Sequence, residues 1–470
     1  MTIDELRHAV RGTVIASDAA SFDSACDALT WNGRKPARQP SLIVKAACVA
    51  DVQATVRFAA AEGMRISPRG GGHNWSGIAR QEGIILDVSA LDSVLIDPKA
   101  RIAEVGPGVT NGQLVSALEP HGLAFPAGHC TPVPVGGYLL GGGFGWNVGE
   151  WGIACFGVEH VDVVTADGAL RRASETENPD IFWAARGGGP EFFGVVVGYR
   201  LRLKVLPKAI VTSVHTYPLA EIDAVVRWMK AAMAVVPVNV EFTVVMSSAP
   251  PPLADRATKV ASGIVNVFAN DAAEAEATLA RIAALAPAGA LDVQQMPTPF
   301  GMLYDLIMGF FPEGRRYAVD SFWAADKSDD LLRGLADAVA KAPSPETFAL
   351  GVVTPPSMPM PSDAAFSMIG PVFACAYSIW DDPQADATNI DWLRQTSDAI
   401  LPSAIGHYVG EADLERPERL RGAYAPEAWS KLKALQERYD PKGIFRRNTA
   451  AASPATARSD VAHHRAGEAT

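Results

Sequence analysis

Three glycine-dense stretches constrain this chain more than any other feature: 70–72 within SPRGGGHNWSG (67–77), 136–145 (GGYLLGGGFG) and 187–189. Glycine opens backbone conformations closed to other residues and admits a neighbouring group close to the main chain, at an entropic cost that something must offset. Loops of this kind expose backbone amides, which hold anions without lysine. The 136–145 loop lacks the Gly-Lys-Ser/Thr ending of a Walker A loop and is not a GxGxxG at a strand-to-helix junction. Nucleotide binding therefore stays open, but by neither of those two modes. Any one loop alone also fits a plain tight turn.

The surrounding pattern predicts α+β. LIVKAACVADVQATVRFAAAEGMRISPRGG reads as strand, helix opened by Asp51, and strand ending in the first glycine loop. Short strands with Gly and Pro punctuation follow, including GIILDVSAL, VLIDPKARIAEV and VEHVDVVTADG. From about 209 the glycines thin out and helical patterns lengthen, as in AEIDAVVRWMKAAMAVV and DAAEAEATLARIAALA. We expect a first domain over 1–208, an antiparallel sheet carrying helices on one face over 209–401, a returning segment over 402–449, and a disordered tail over 450–470. The helix in AWSKLKALQERYDPKG stops at Asp440-Pro441.

Composition narrows the partners. A net charge of -11 argues against nucleic acid held by bulk electrostatics. No stretch reaches the roughly 20 apolar residues needed to span a bilayer, and no secretory signal or twin arginine opens the chain. The expectation is a cytoplasmic protein without a membrane partner. The five cysteines form no CxxC, so no disulfide framework or zinc site is expected, and no metal. Cys26, Cys48, Cys155 and Cys375 read as plain buried thiols. Cys130, beside the second glycine loop, is either a buried inert thiol or a nucleophile. A lone histidine is ordinarily a satisfied one, but His73 follows three glycines in a loop shaped for close approach.

The strings RGGGHN (69–74), PAGHCTPVPVGGYLLGGGFGWN (126–147), VDVVTADG (161–168), NPDIFWAARGGGPEFFGVV (178–196) and YDPKGIFRRN (439–448) resemble the FAD-linked oxidases of the vanillyl-alcohol-oxidase (PCMH-type) fold. More narrowly, they resemble the berberine-bridge-enzyme-like and 6-hydroxynicotine-oxidase-like branch. The resemblance implies a two-domain PCMH-type FAD-binding fold with a substrate domain of antiparallel sheet backed by helices. It implies that FAD is bound by Arg69, Gly70, Gly71, Gly72, His73 and Asn74, then by Cys130, Val133, Gly136, Gly137, Gly141, Gly142, Gly143 and Asn147, then by Val195, Val196 and Asn448. His73 corresponds to the histidine joined to the flavin 8α-methyl, and Cys130 to the cysteine that bonds flavin C6 in the bicovalent branch.

The chain departs from that pattern at three places. Pro134 stands where the family has glycine, and a proline there removes an amide donor. Ser367 and Met368 replace a His-Arg pair, and HYVGEAD keeps Tyr408 but has Gly410 and Glu411 in place of Asn and Tyr. The resemblance implies oxidation of a small-molecule alcohol or amine with O2 as acceptor, giving H2O2. It makes Tyr408 and Asp363 the candidate bases, each with a structural alternative: a core aromatic and a turn residue. A dehydrogenase using another acceptor, a non-catalytic flavin carrier and a flavin-free nucleotide-sugar enzyme are the competing functions. FGMLYDLIMGFF (300–311) reads either as a wall for an aromatic substrate or as a buried helix.

Overall fold

The computed structural model describes residues 2–355 and 363–445. The expected tail and Asn448 lie outside them. The architecture is α+β, with three main sheets.

The first sheet orders its strands Thr13–Ala16, Leu42–Lys45, Ile84–Asp87, Ile66–Arg69. Its last three strands run parallel, and the helix Val49–Glu62 makes the crossover. That helix buries Val52, Val56, Phe58 and Ala59 against Val44 and Leu86 and ends at Gly63 in the left-handed conformation (φ 66°). Asp51 does not open it. Cys48 occupies the cap, and Asp51, fully enclosed in the first turn, accepts the amides of Arg11, Gly12 and Ala47 at 2.8–2.9 Å, tying the first strand to the helix. These bonds to the charged form hold its carboxyl below the usual range against the cost of burial. Cys48 is half-buried and donates to Asp51 Oδ1, so it is not the plain buried thiol expected, whereas Cys26, Cys155 and Cys375 are buried.

A five-stranded antiparallel sheet follows, ordered Val94–Asp97, Ile102–Val105, Gly194–Arg202, Val158–Thr165, Leu170–Ser174. The third sheet has seven antiparallel strands, all drawn from residues 209–380. Its period-two alternation produces two different faces. Along Arg316–Ala324 and Val372–Trp380, Ala318, Phe322, Ala324, Val372, Ala374 and Ala376 face a core with the helices Ile222–Met233 and Ser328–Val339. Tyr317, Val319, Trp323, Phe373, Cys375, Tyr377 and Ile379 face the other way, onto Val148, Ile153 and Tyr408.

The chain then returns. Ile405 donates to the Trp323 carbonyl and Trp323 to that of Gly406, Ser321 Oγ bonds both backbone groups of Tyr408, and the helix Pro426–Tyr439 buries Leu432 and Leu435 among residues of the second sheet. Ile66 donates to the Ile444 carbonyl at 2.6 Å. No described helix is long and apolar enough to cross a membrane.

The returning segment is locked by a fully enclosed ion pair, Arg419 Nε to Asp320 Oδ2 at 2.9 Å, with each side chain 1% exposed. Asp320 Oδ1 also accepts the amide of Asp413. Removing one partner leaves a buried charge uncompensated. Arg419→Met should therefore cost about 3–5 kcal/mol in urea unfolding, and Arg419→Met combined with Asp320→Asn should recover part of it. A loss under about 0.5 kcal/mol would mean that water reaches Asp320.

Candidate flavin site

The loop after strand Ile66–Arg69 is built from behind by Arg69. Its guanidinium donates to Asp87 Oδ1 (3.1 Å) on the neighbouring strand, to the carbonyls of Gly70 (3.2 Å) and Gly71 (2.8 Å), and to that of Leu29 (3.2 Å). The Gly72 carbonyl accepts the amide of Trp31 at 3.0 Å. The three glycine carbonyls are thus consumed by protein donors. The amides of Gly70, Gly71, Gly72, His73 and Asn74 donate to no described residue, and all five residues line one long cavity. A row of unused amides beside a cavity is an anion nest. Gly72 cannot carry a side chain there: its φ is +69°, and a Cβ would fall 2.0 Å from the Leu29 carbonyl oxygen.

The second glycine loop forms the opposite wall. Asn111 holds it, donating from Nδ2 to the Cys130 carbonyl (3.1 Å) and from its amide to that of Val133 (2.9 Å). Pro134 is the contact between the two loops, since a Cβ on Gly71 would lie 2.3 Å from its Cδ. Where the family has glycine, this chain therefore closes the gap with a ring. Gly137 faces open space, with nothing within 4 Å of where a Cβ would stand. Val133, Gly136, Gly137, Gly141, Val195 and Val196 all line the cavity.

Three expected cofactor residues do not. Gly142 packs under the Phe366 ring, 2.4 Å from an added Cβ, and Gly143 gives its amide to the Tyr408 hydroxyl. Asn147 turns into the helix Val148–Trp151 with φ 53° and bonds Glu150 Oε2 at 2.6 Å. Both glycines and Asn147 shape the loop from outside the cavity.

His73 and Cys130 line the same cavity. His73 stacks on Trp31, with ring centroids 5.4 Å apart. Burial, reinforced by the Arg69 charge, pulls its pKa down to about 4, against a hydrogen bond to the Pro132 carbonyl. Its imidazole is neutral at ordinary pH, with a lone pair to offer. The Cys130 thiol is pushed up to about 12 by burial and then by the Glu411 charge, so it stays protonated.

The two expected bases fare differently. Asp363 is exposed and lines no part of the cavity, and its carbonyl accepts Arg186 Nη2 at 2.5 Å. The structure thus places it in an exposed bend, apart from the cavity. Tyr408 lines the cavity, but its hydroxyl oxygen accepts the amides of Gly143 (3.2 Å) and Phe144 (3.3 Å), and burial raises its pKa. That oxygen is occupied in holding the glycine loop to the returning segment.

A side chain that the sequence marked only as a departure from the family pattern completes the site. Glu411 lines the cavity, half-buried, and its Oε2 accepts the Tyr377 hydroxyl at 2.6 Å. Tyr377 stacks on Phe348 (4.7 Å) and meets Phe311 (5.2 Å) and Trp75 (6.0 Å) edge-on. The apolar run at 300–311 divides accordingly: Phe311 joins this aromatic wall, while Met302 and Leu306 on the helix Phe300–Met308 are exposed. The sequence signal for Glu411 was a carboxylate standing where the family pattern has tyrosine.

The site fits a dinucleotide cofactor, with amides for its diphosphate and, at Gly137, open space beside the backbone. Residues 40–174 match the FAD binding domain family. The chain is 29% identical over 426 residues to the FAD-linked oxidoreductase penO of Penicillium crustosum, covering 90% of this chain and 93% of that one. It is 37% identical over 209 residues to the (R)-6-hydroxynicotine oxidase of Paenarthrobacter nicotinovorans, 44% of this chain and 45% of that one. Among solved structures, the Physcomitrella patens berberine-bridge-like protein 1 superposes with a TM-score of 0.82 at 19% identity, over 95% of this chain and 98% of that one. The 6-hydroxy-D-nicotine oxidase of Arthrobacter nicotinovorans does so with 0.81 at 24%, over 93% and 97%. The chain thus joins a match to the FAD binding domain family with a berberine-bridge-like fold, and over most of its length it is similar to FAD-linked oxidoreductases.

Proposed function

We propose that the protein oxidises a small-molecule alcohol or amine with FAD held covalently through His73, O2 serving as electron acceptor and H2O2 leaving as product. The observation that carries this is the pairing of an amide row at 70–74 with a neutral, cavity-lining imidazole at its end. Bound FAD supplies a two-electron hydride acceptor at N5 that O2 can reoxidise. Residues 1–208 with 402–449 form the FAD unit in this assignment, and 209–401 the substrate unit.

The chain's own contribution is positional. The amides of Gly70 to Asn74 and the small residues Gly136, Gly137, Val195 and Val196 hold the cofactor, and Trp31 fixes the His73 ring. Cys130, the second attachment point that the resemblance implies, keeps its thiol protonated, so the His73 bond is the one this site favours. The substrate's place is beside Trp75, which lines the cavity and is backed by the buried rings of Phe311 and Tyr377.

Acid precipitation tests the attachment. Flavin colour should stay with the wild-type and Cys130→Ala pellets and be lost from His73→Ala; a coloured His73→Ala pellet would move the bond to Cys130. Oxygen consumption matched by H2O2 is expected with the substrate, and fast dye reduction without oxygen uptake would make the protein a dehydrogenase.

The cavity assignment has its own check. Gly137→Val should cut flavin content at least tenfold while changing the stability of the flavin-free chain by under about 0.5 kcal/mol, as read from the visible-to-ultraviolet absorbance ratio and urea unfolding. Full flavin content in that variant would place the cofactor elsewhere.

A further inference from the structure

With Asp363 outside the cavity and the Tyr408 oxygen taken by two amides, the oxidation still needs a group to receive the substrate's O–H or N–H proton. We propose that Glu411, held by the Tyr377 hydroxyl, is that proton acceptor. The proposal rests on the oxidoreductase function above and adds the residue that moves the proton.

Glu411 meets the geometric demand. It lines the same cavity as His73 and Cys130, and its amide donates to the Tyr408 carbonyl (3.0 Å), which also accepts Ser321 Oγ (3.0 Å). The carboxylate is therefore carried on a turn pinned to the sheet. The Tyr377 hydroxyl binds one oxygen, Oε2, and the phenol is itself immobilised by Phe348, Phe311 and Trp75. A rigid donor on one oxygen orients the carboxylate toward the cavity it lines, as a positioned base requires.

The titratable groups facing Glu411 are Tyr377 and Cys375 from strand Val372–Trp380, Cys130 from the glycine loop, and Tyr408 from its own turn. None is a cation. Enclosure pushes the Glu411 carboxyl above the usual carboxylate range, while the hydrogen bonds from Tyr377 and Cys375 pull it back. A base serves best when its pKa approaches the working pH, and this environment moves a carboxyl in that direction.

The step balances without a further reactant. The substrate's O–H or N–H bond breaks and its proton goes to Glu411, while the freed pair forms C=O or C=N. The adjacent C–H hydrogen leaves as hydride, carrying two electrons to FAD, and Glu411 returns its proton to water. Reoxidation by O2 takes up the two electrons with two protons and gives H2O2.

The test compares flavin-loaded wild type, Glu411→Gln and Tyr377→Phe, mixed without oxygen with the alcohol or amine that most rapidly bleaches the wild-type flavin. The wild-type bleaching rate should rise with pH as Glu411 ionises. In Glu411→Gln the limiting rate should fall about a hundredfold or more and the pH step should vanish, with flavin content and substrate affinity within about threefold of wild type. Tyr377→Phe, lacking the donor that stabilises the carboxylate, should move the step to higher pH with a smaller loss of rate. Infrared difference titration needs no substrate: a protonated-carboxyl band should disappear as pH rises in wild type and be missing in Glu411→Gln. Wild-type rate and pH profile in a flavin-loaded Glu411→Gln, or an unchanged infrared band in it, would overturn the role of Glu411 and leave the oxidoreductase function standing. A wild-type flavin that no alcohol or amine bleaches would overturn both.

Discussion

The whole site depends on one guanidinium. Arg69 sits at the end of a parallel strand, paired to Asp87 on the next, and spends its remaining donors on the carbonyls of Leu29, Gly70 and Gly71. A loop has to satisfy its backbone groups somewhere. By taking the carbonyls, Arg69 turns the peptide planes so that the amides of 70–74 are left for a ligand. The glycines are needed because this arrangement brings the Leu29 carbonyl and the Pro134 ring into the space where side chains would stand. His73 then arrives in the cavity as a consequence of where the strand ends.

A second constraint acts from the other side. The returning segment is fastened to strand Arg316–Ala324 by Ser321, by the backbone exchange at Trp323 and by the Asp320–Arg419 pair. Its Tyr408 oxygen then reaches across to the amides of Gly143 and Phe144. The Tyr408 hydroxyl thus bridges the returning segment and the glycine loop. Three residues further on, the same fastening delivers Glu411 to the cavity.

Much of this was legible in the sequence, for physical reasons that differ by residue. The glycine loops and His73 stood out because backbone geometry is written directly in glycine placement. The helices over the third sheet were legible from their amphipathic period, as in Ile222–Met233. Asp363 came from the resemblance alone, and a position in sequence does not say which way a bend faces; here the side chain is exposed. Glu411 was passed over because its partner, Tyr377, lies 34 residues away on a strand whose alternation decides its facing only once the sheet is assembled. Pro134 read as a lost amide, yet its ring is what seats the second loop on the first.

The two constraints meet in the cavity and couple its chemistry to its stability. In this acidic chain an anionic cofactor would be held by amide dipoles, not by lysines, and such fixed dipoles gain strength where water is excluded. One wall is braced through Asp87 in the first sheet, while the wall carrying Tyr408 and Glu411 is braced through Ser321 and Asp320 in the third. A cofactor that touches both walls binds only the docked arrangement, so by mass action it stabilises the docking itself. Docking in turn sets the Glu411 environment, because Tyr377 and Cys375 belong to the third sheet and Cys130 to the glycine loop. Flavin occupancy and the ionisation of Glu411 are therefore linked through the same interface: whatever loosens the sheet from the loop admits water to the carboxyl and lowers its affinity for a proton.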